Sequence, residues 1–143
     1  MRTIANQLMT LFFLGLGTIF AQDIPQSQVP SVIVNNFKAE FPKASDLEWE
    51  HKGNQYIVDF EIGWFTDYKA WFTTSGKLIK YSVEISKRHL PKAITNVIKK
   101  QYKGYRIDDV KKIIENGVEF FEVEIEKGND ELELTYSKHG KLI

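Results

Sequence analysis

The second half of this chain repeats the first. Val29-Pro30 opens a run with Ile33, Phe37 and Phe41 at helical spacing, and Leu90-Pro91 opens another with Ile94, Ile98 and Tyr102, each 61 residues further on. Downstream, Tyr56-Ile57-Val58-Asp59-Phe60-Glu61 returns as Phe121-Glu122-Val123-Glu124-Ile125-Glu126 at an offset of 65. Phe72-Thr73-Thr74-Ser75-Gly76-Lys77-Leu78-Ile79 returns as Tyr136-Ser137-Lys138-His139-Gly140-Lys141-Leu142-Ile143 at an offset of 64, with Gly-Lys-Leu-Ile identical. A duplication constrains the fold strongly, because both copies must bury their apolar positions in the same way.

Each copy reads as one helix followed by strands. Proline near the first helical position costs no hydrogen bond there, and Pro42 and Gly104 end the two runs. The strands expected in the first copy are about Leu47–Lys52, Gln55–Glu61, Asp67–Thr73 and Lys77–Ile85. In the second they are about Ile107–Glu115, Val118–Glu126, Glu131–Tyr136 and a stub at Lys141–Ile143. Tyr56, Val58 and Phe60 alternate onto one face, as do Phe121, Val123 and Ile125. A two-residue turn at Gly53-Asn54 sets Trp49 opposite Val58 and Leu47 opposite Phe60. The Asn116-Gly117 pair, a type I′ signal, sets Val110 opposite Val123, so the extra residues of the second copy lengthen that hairpin. The expected fold is α+β: two helix–four-strand repeats, residues 29–86 and 87–143. Their sheets join into one curved antiparallel sheet with helices on one face.

Basic and acidic side chains number 19 each, so no net charge draws the chain to nucleic acid or an anionic membrane. No cysteine is present, which removes disulfides, thiol nucleophiles and thiolate metal sites. Arg2 is the only charged side chain before Asp23, the run from Leu8 to Leu16 is apolar, and Ala21 offers a small residue for cleavage. Residues 1–21 therefore read as an export leader, followed by a linker at 22–28. An uncleaved anchor is the alternative. Asn6 and Gln7 shorten its apolar part and no basic cluster follows it, so the mature protein is expected to have no stable membrane insertion.

Val29-Pro30, Phe41-Pro42-Lys43-Ala44, Trp49, Tyr56-x-Val58-x-Phe60, Ala70-Trp71-Phe72, Leu90-Pro91-Lys92-Ala93, Tyr102-Lys103-Gly104-Tyr105, Val123-Glu124 and the closing Gly140-Lys141-Leu142-Ile143 resemble the PepSY-like, β-lactamase-inhibitor-protein-like family of exported bacterial proteins. The resemblance runs from about Val29 to Ile143. It implies a tandem α-β-β-β-β fold, a periplasmic or secreted location in a Gram-negative bacterium, and no catalytic machinery or cofactor. Related inhibitor proteins and protease propeptide domains suggest protein binding by analogy.

Little in the chain points to chemistry. His51, His89 and His139 have no second histidine at ligand spacing. Ser86 near His89 and Ser137 near His139 lack a nucleophile-elbow motif. No glycine-rich phosphate loop occurs. Carboxylates are dense in the second copy. A turn at Lys127-Gly128-Asn129-Asp130 sets Glu126 opposite Glu131 and Glu124 opposite Glu133, with Glu122 on the same face and Lys111 opposite it. Like charges in that position repel, so this is either a solvated acidic face or a site for a small molecule, a cation or a cationic partner. No spaced calcium loop supports the cation. The copies differ most at the hairpin tip after the second strand. There the first has Ile62-Gly63-Trp64-Phe65-Thr66 where the second has a polar tip. Trp71 is expected on the face away from its helix, beside Ile57 and near Tyr81. Trp64, Phe65, Trp71, Ile57 and Tyr81 are thus the candidate contacts for an unidentified protein or peptide, unless they pack against the other copy. Intact-mass measurement of the protein recovered from its own host should show residues 1–21 removed. Retention of Met1 with pelleting in the membrane fraction would identify the segment as an anchor.

Overall fold

The computed structural model describes residues 21–143; the leader expected at residues 1–21 lies outside the described residues, Ala21 excepted. Helix α1 spans Ser31–Glu40 and α2 spans Lys92–Gln101. Pro30 and Pro91 stand just before them with φ −52°. The Pro30 carbonyl accepts from the Ile33 and Val34 amides, and the Pro91 carbonyl from Ile94 and Thr95. Ile33 and Phe37 of α1, and Ile94 and Ile98 of α2, are buried toward the sheet.

The strands are β1 Gln22–Ile24, β2 Ala44–Lys52, β3 Gln55–Ile62, β4 Asp67–Thr73, β5 Leu78–Glu84, β6 Arg106–Glu115, β7 Val118–Lys127 and β8 Asp130–Ser137. They form one antiparallel sheet in sequence order. Trp49 faces Val58, Val110 faces Val123 and Lys111 faces Glu122, as expected from the turn residues. The stub at 141–143 is a single bridge between Leu142 and Tyr136 rather than a strand.

Residues 22–28 are not a linker. Strand β1 pairs Ile24 with Trp49 and Gln22 with His51, then a 3-10 turn at Gln26–Gln28 leads into α1. The same order recurs 61 residues later, where β5 and a 3-10 turn at Lys87–His89 lead into α2. Each structural unit therefore begins one strand before its helix. β5 closes the first unit and opens the second, pairing with β4 on one side and β6 on the other.

Each unit has its own core. Trp49, Val58, Phe60, Ala70 and Phe72 close on Ile33, Phe37 and Phe41 in the first. Val110, Phe121, Val123, Ile125 and Tyr136 close on Leu90, Ile94 and Ile98 in the second. Phe37 is the centre of the first, edge-on to Trp49 at 5.4 Å, to Phe60 at 4.9 Å and to Phe72 at 6.2 Å. Such tilted ring contacts add to simple area burial.

The identical Gly-Lys-Leu-Ile has a structural cause. Gly76 and Gly140 adopt φ +88° and +83° in turns held by the same bonds. The amides of Thr73 and Ser137 donate to the carbonyls of Lys77 and Lys141, and the Thr73 and Ser137 hydroxyls accept from the Lys77 and Lys141 amides. Each turn is pressed onto its own helix. A Cβ on Gly76 would lie 2.8 Å from Asn36 Nδ2, and one on Gly140 would lie 3.0 Å from the Ala93 carbonyl oxygen.

Leu47 does not face Phe60. The ladder passes from Glu48–Asp59 to Ser45–Glu61, leaving Asp46 and Leu47 as a bulge with Asp46 at φ +51° and Leu47 37% exposed. A bulge sets two residues against one, so the alternation is lost there. By the repeat correspondence the second unit bulges one position nearer its turn, at Asp108 and Asp109 opposite Glu124.

Trp49 is 4% exposed, and Trp49→Ala should cost about 3–5 kcal/mol in denaturant unfolding; a wild-type midpoint would refute the packing described. Gly140→Ala should destabilise more than Gly63→Ala. Both positions have positive φ, which costs an L-residue about 1–2 kcal/mol, but only Gly140 is crowded, Gly63 having nothing within 4 Å.

Candidate functional site

Because the helices cover one side of the sheet, every second strand residue is left on the other. Across that open face run the rows Glu50–Ile57–Trp71–Lys80, Asp59–Lys69–Ser82–Ile113 and Glu84–Lys111–Glu122–Thr135. Between the two units the face has a hollow of about 290 Å³, whose lining includes Trp71, Lys80, Ser82, Lys111, Ile113 and Glu122. The Lys80 ammonium lies 4.8 Å from the centre of the Trp71 ring, within range of a cation–π attraction. Lys69 pairs with Asp59 at 3.1 Å and Lys111 with Glu122 at 3.7 Å.

The aromatic candidates fall into three settings. Trp64 is 91% exposed and Phe65 83%, at the tip joining β3 to β4, with Gly63 at φ +74° and Phe65 itself at φ +59°. Trp71 lies partly exposed on the open face, directly opposite Ile57, which is itself buried. Ile57 therefore acts as packing beneath its neighbours and offers a partner little surface. Tyr81 does not join them. The ladder runs Phe72–Leu78 and then Trp71–Lys80, skipping Ile79 as a bulge. That one extra residue turns Tyr81 to the helix face, where its ring packs on Phe41 at 5.4 Å.

Nor do the tip and Trp71 form one patch. Asp67 and Trp71 are four residues apart on β4, about 14 Å along a strand, and the Lys69–Asp59 pair lies between them. Sequence alternation alone missed Lys80 and Ile113 as neighbours of Trp71, because neither the bulge nor the β5–β6 pairing is marked by a turn residue.

The five glutamates share the open face at the far end of the second unit. Glu124 faces Glu133 and Glu126 faces Glu131, as the four-residue turn requires. Arg106 pairs with Glu126, and Glu122 has Lys111. Desolvation pushes the Glu124 carboxyl above the usual carboxylate range, and the charges of Glu131, Asp109 and Asp108 act the same way, against the pull of Lys111. Desolvation likewise raises Glu84, helped by Asp67 and Asp109 and opposed by Lys111. Repulsion, not convergence, describes this group. Among the described residues no three His, Asp or Glu side chains are placed to hold one metal ion. The Ser86 hydroxyl caps the Arg88 amide and that of Ser137 accepts from Lys141. His51 stacks on Tyr56 at 4.5 Å. These groups are engaged in local structure.

The comparisons with known proteins agree with this architecture. A DUF2874 family protein of Bacteroides uniformis superposes with a TM-score of 0.73 at 20% identity, covering 80% of this chain and 86% of that one. A BLIP-like protein of Bacteroides fragilis gives 0.69 at 22% identity, over 84% of each chain. A DUF2874 family protein of Bacteroides ovatus gives 0.72 at 20%, over 85% and 86%. At these identities the likeness is one of fold. No curated protein matches the sequence. The sequence profile of the beta-lactamase-inhibitor-like, PepSY-like family matches in two overlapping regions, residues 19–80 and 54–143. With both repeats matched over nearly the whole chain, this protein belongs to the PepSY-like, beta-lactamase-inhibitor-like family.

Proposed function

We propose that this is an exported, non-catalytic binding module that recognises a protein or peptide. Its contacts are the aromatic tip of the first unit and Trp71 on the open face. The observation that carries the reading is the pair Trp64 and Phe65, 91% and 83% exposed on a hairpin tip. A hairpin needs only a tight turn there, and the second unit makes its turn with Gly128 and Asn129. Burying both rings against a partner recovers the hydrophobic cost of exposing them, and aromatic side chains are frequent hot spots. The BLIP-like likeness and family membership support a binding role. Export rests on the leader reading and on the family. Among the described residues no helix is long and apolar enough to cross a membrane.

The alternative, a small molecule or cation held by Glu122, Glu124, Glu126, Glu131 and Glu133, gains less support. Four of these carboxylates form two facing pairs along two strands and Glu122 stands opposite Thr135, rather than all being gathered around a point.

A Trp64→Ser, Phe65→Ser double variant should melt within a few degrees of the wild type, since neither ring is packed. Affinity-capture from the native envelope should identify a partner with the wild type as bait. The double variant should bind it at least ~30-fold more weakly, the equivalent of about 2 kcal/mol. Equal affinity for the captured partner would exclude the tip as its contact. Trp71→Ser is the weaker test, because it also uncovers Ile57.

A further inference from the structure

Between Glu84 and Asp108 the chain carries seven lysines and arginines and no acidic side chain. The matching stretch of the first unit, between Asp23 and Asp46, carries two lysines and one glutamate. The duplication shows where the difference lies. Ser27, Ser31, Ala39 and Pro42 become Arg88, Lys92, Lys100 and Lys103 at the offset of 61, and Glu40 becomes Gln101. On the glycine turn that presses on α2, Thr74 becomes Lys138 at the offset of 64. Because the first unit folds around the neutral residues, the cations are not a packing requirement.

Nor do they all serve the helix. A cation suits the last turn of a helix and is disfavoured in the first. Lys38 and Lys99 hold the same last-turn position in α1 and α2, and that preference explains them. Lys92, by contrast, is the first residue of α2, where α1 has Ser31. Helical spacing sets Lys92, Lys99 and Lys100 on the side of α2 opposite the buried Ile94 and Ile98. These three, with Arg88, Lys103 and Lys138, are exposed. Among the described residues none of the six is in an ion pair; the four pairs belong to Lys69, Arg106, Lys111 and Lys112. Lys92 and Lys100 are eight residues apart, about 12 Å along the axis, and Arg88 and Lys103 extend the strip past both ends. No single small anion can touch charges so widely spread. Lysines act as independent point charges on flexible stems, which suits a plane of mobile anionic groups.

We propose that this strip docks the protein on an anionic phospholipid membrane, with α2 toward the headgroups and the open face of the sheet turned away. Each lysine or arginine close to such a surface adds to the attraction, which fades within a Debye length. Zero net charge makes the attraction directional. The open face carries Glu122, Glu124, Glu126, Glu131 and Glu133 and is repelled while α2 is drawn in. Docking of this kind is peripheral and inserts no segment. The strip shares no residue with the aromatic tip or with Trp71, so the two proposals stand or fall separately.

The test uses the chain from Gln22 onward, which holds every strand and helix described, so that the leader cannot insert. Vesicles of phosphatidylglycerol and phosphatidylcholine in equal parts should sediment the protein at about 20 mM salt and release it at about 0.5 M. Vesicles of phosphatidylcholine alone should not sediment it. The variant Arg88→Ser, Lys92→Ser, Lys100→Ala, Lys138→Thr takes the residues of the first unit. It should melt within a few degrees of the wild type and bind at least about tenfold more weakly. Lys38→Ala with Lys43→Ala, which removes the cations of the first unit's stretch, should bind within about twofold of the wild type. Nanodiscs of the anionic composition with a paramagnetic headgroup should broaden the amide signals of residues 88–103 before those of Trp71 and Ile113. The proposal is overturned by no binding to the anionic vesicles, by equal binding to neutral ones, by equal binding of the fourfold variant, or by broadening centred on the open face. Binding to polyglutamate without binding to anionic vesicles also overturns it, and would mark an acidic protein as the partner.

Discussion

Among the described residues, two helices of ten residues each cover an eight-stranded sheet, and they can cover only one side of it. The rest of the molecule follows from that one-sidedness. Strand side chains alternate between faces, so the residues under α1 and α2 are apolar and their strand neighbours are left to water. Charged side chains fill most of the open positions, and Ile57, Trp71, Ile113, Phe120 and Val118 are the apolar ones among them. Within each unit the helix is fixed from two ends: by the proline-started turn that leads into it, and by the glycine turn that presses on it after the third strand of its own hairpin set.

Duplication separates residues that fold the chain from residues that do something else. The glycine turns, the proline starts and the buried strand positions recur in both units, because each solves the same packing problem. Three features do not recur. The Trp64-Phe65 tip becomes Gly128-Asn129, Trp71 becomes Thr135, and Lys69 becomes Glu133. The core tolerates wide substitution within its apolar class, Trp49 for Val110 and Phe37 for Ile98, as cores do when volume and pattern are kept. Loss of an ion pair in favour of two facing glutamates is a different kind of change, since it weakens the isolated unit. The zero net charge likewise conceals a division, with α2 carrying Lys92, Lys99 and Lys100 while the open end of β7 and β8 is crowded with carboxylates.

Much of this was legible in the residues. The repeat, the two helices, the hairpin turns at Gly53-Asn54 and Asn116-Gly117 and the facing glutamates all follow from spacing and local turn chemistry. So does the placement of Trp71 beside Ile57, because the repeat correspondence sets both on the face away from the helix. What went astray lies just beyond a bulge or beyond the repeat as first divided. Tyr81 changed face because Ile79 is skipped, Leu47 left the ladder with Asp46, and residues 22–28 became a strand and turn.

By itself, then, the sequence determined the local elements, their order and the apolar side of each hairpin, since propensity, period and turn type act within a few residues. Only the tertiary structure decided which strands meet across units. It also decided that Trp71 sits beneath a lysine from the next strand, and that the tip aromatics stand apart from it. Those outcomes depend on bulges and on the β5–β6 pairing, whose energy comes from contacts far apart in the chain and leaves no signature in any short stretch of it.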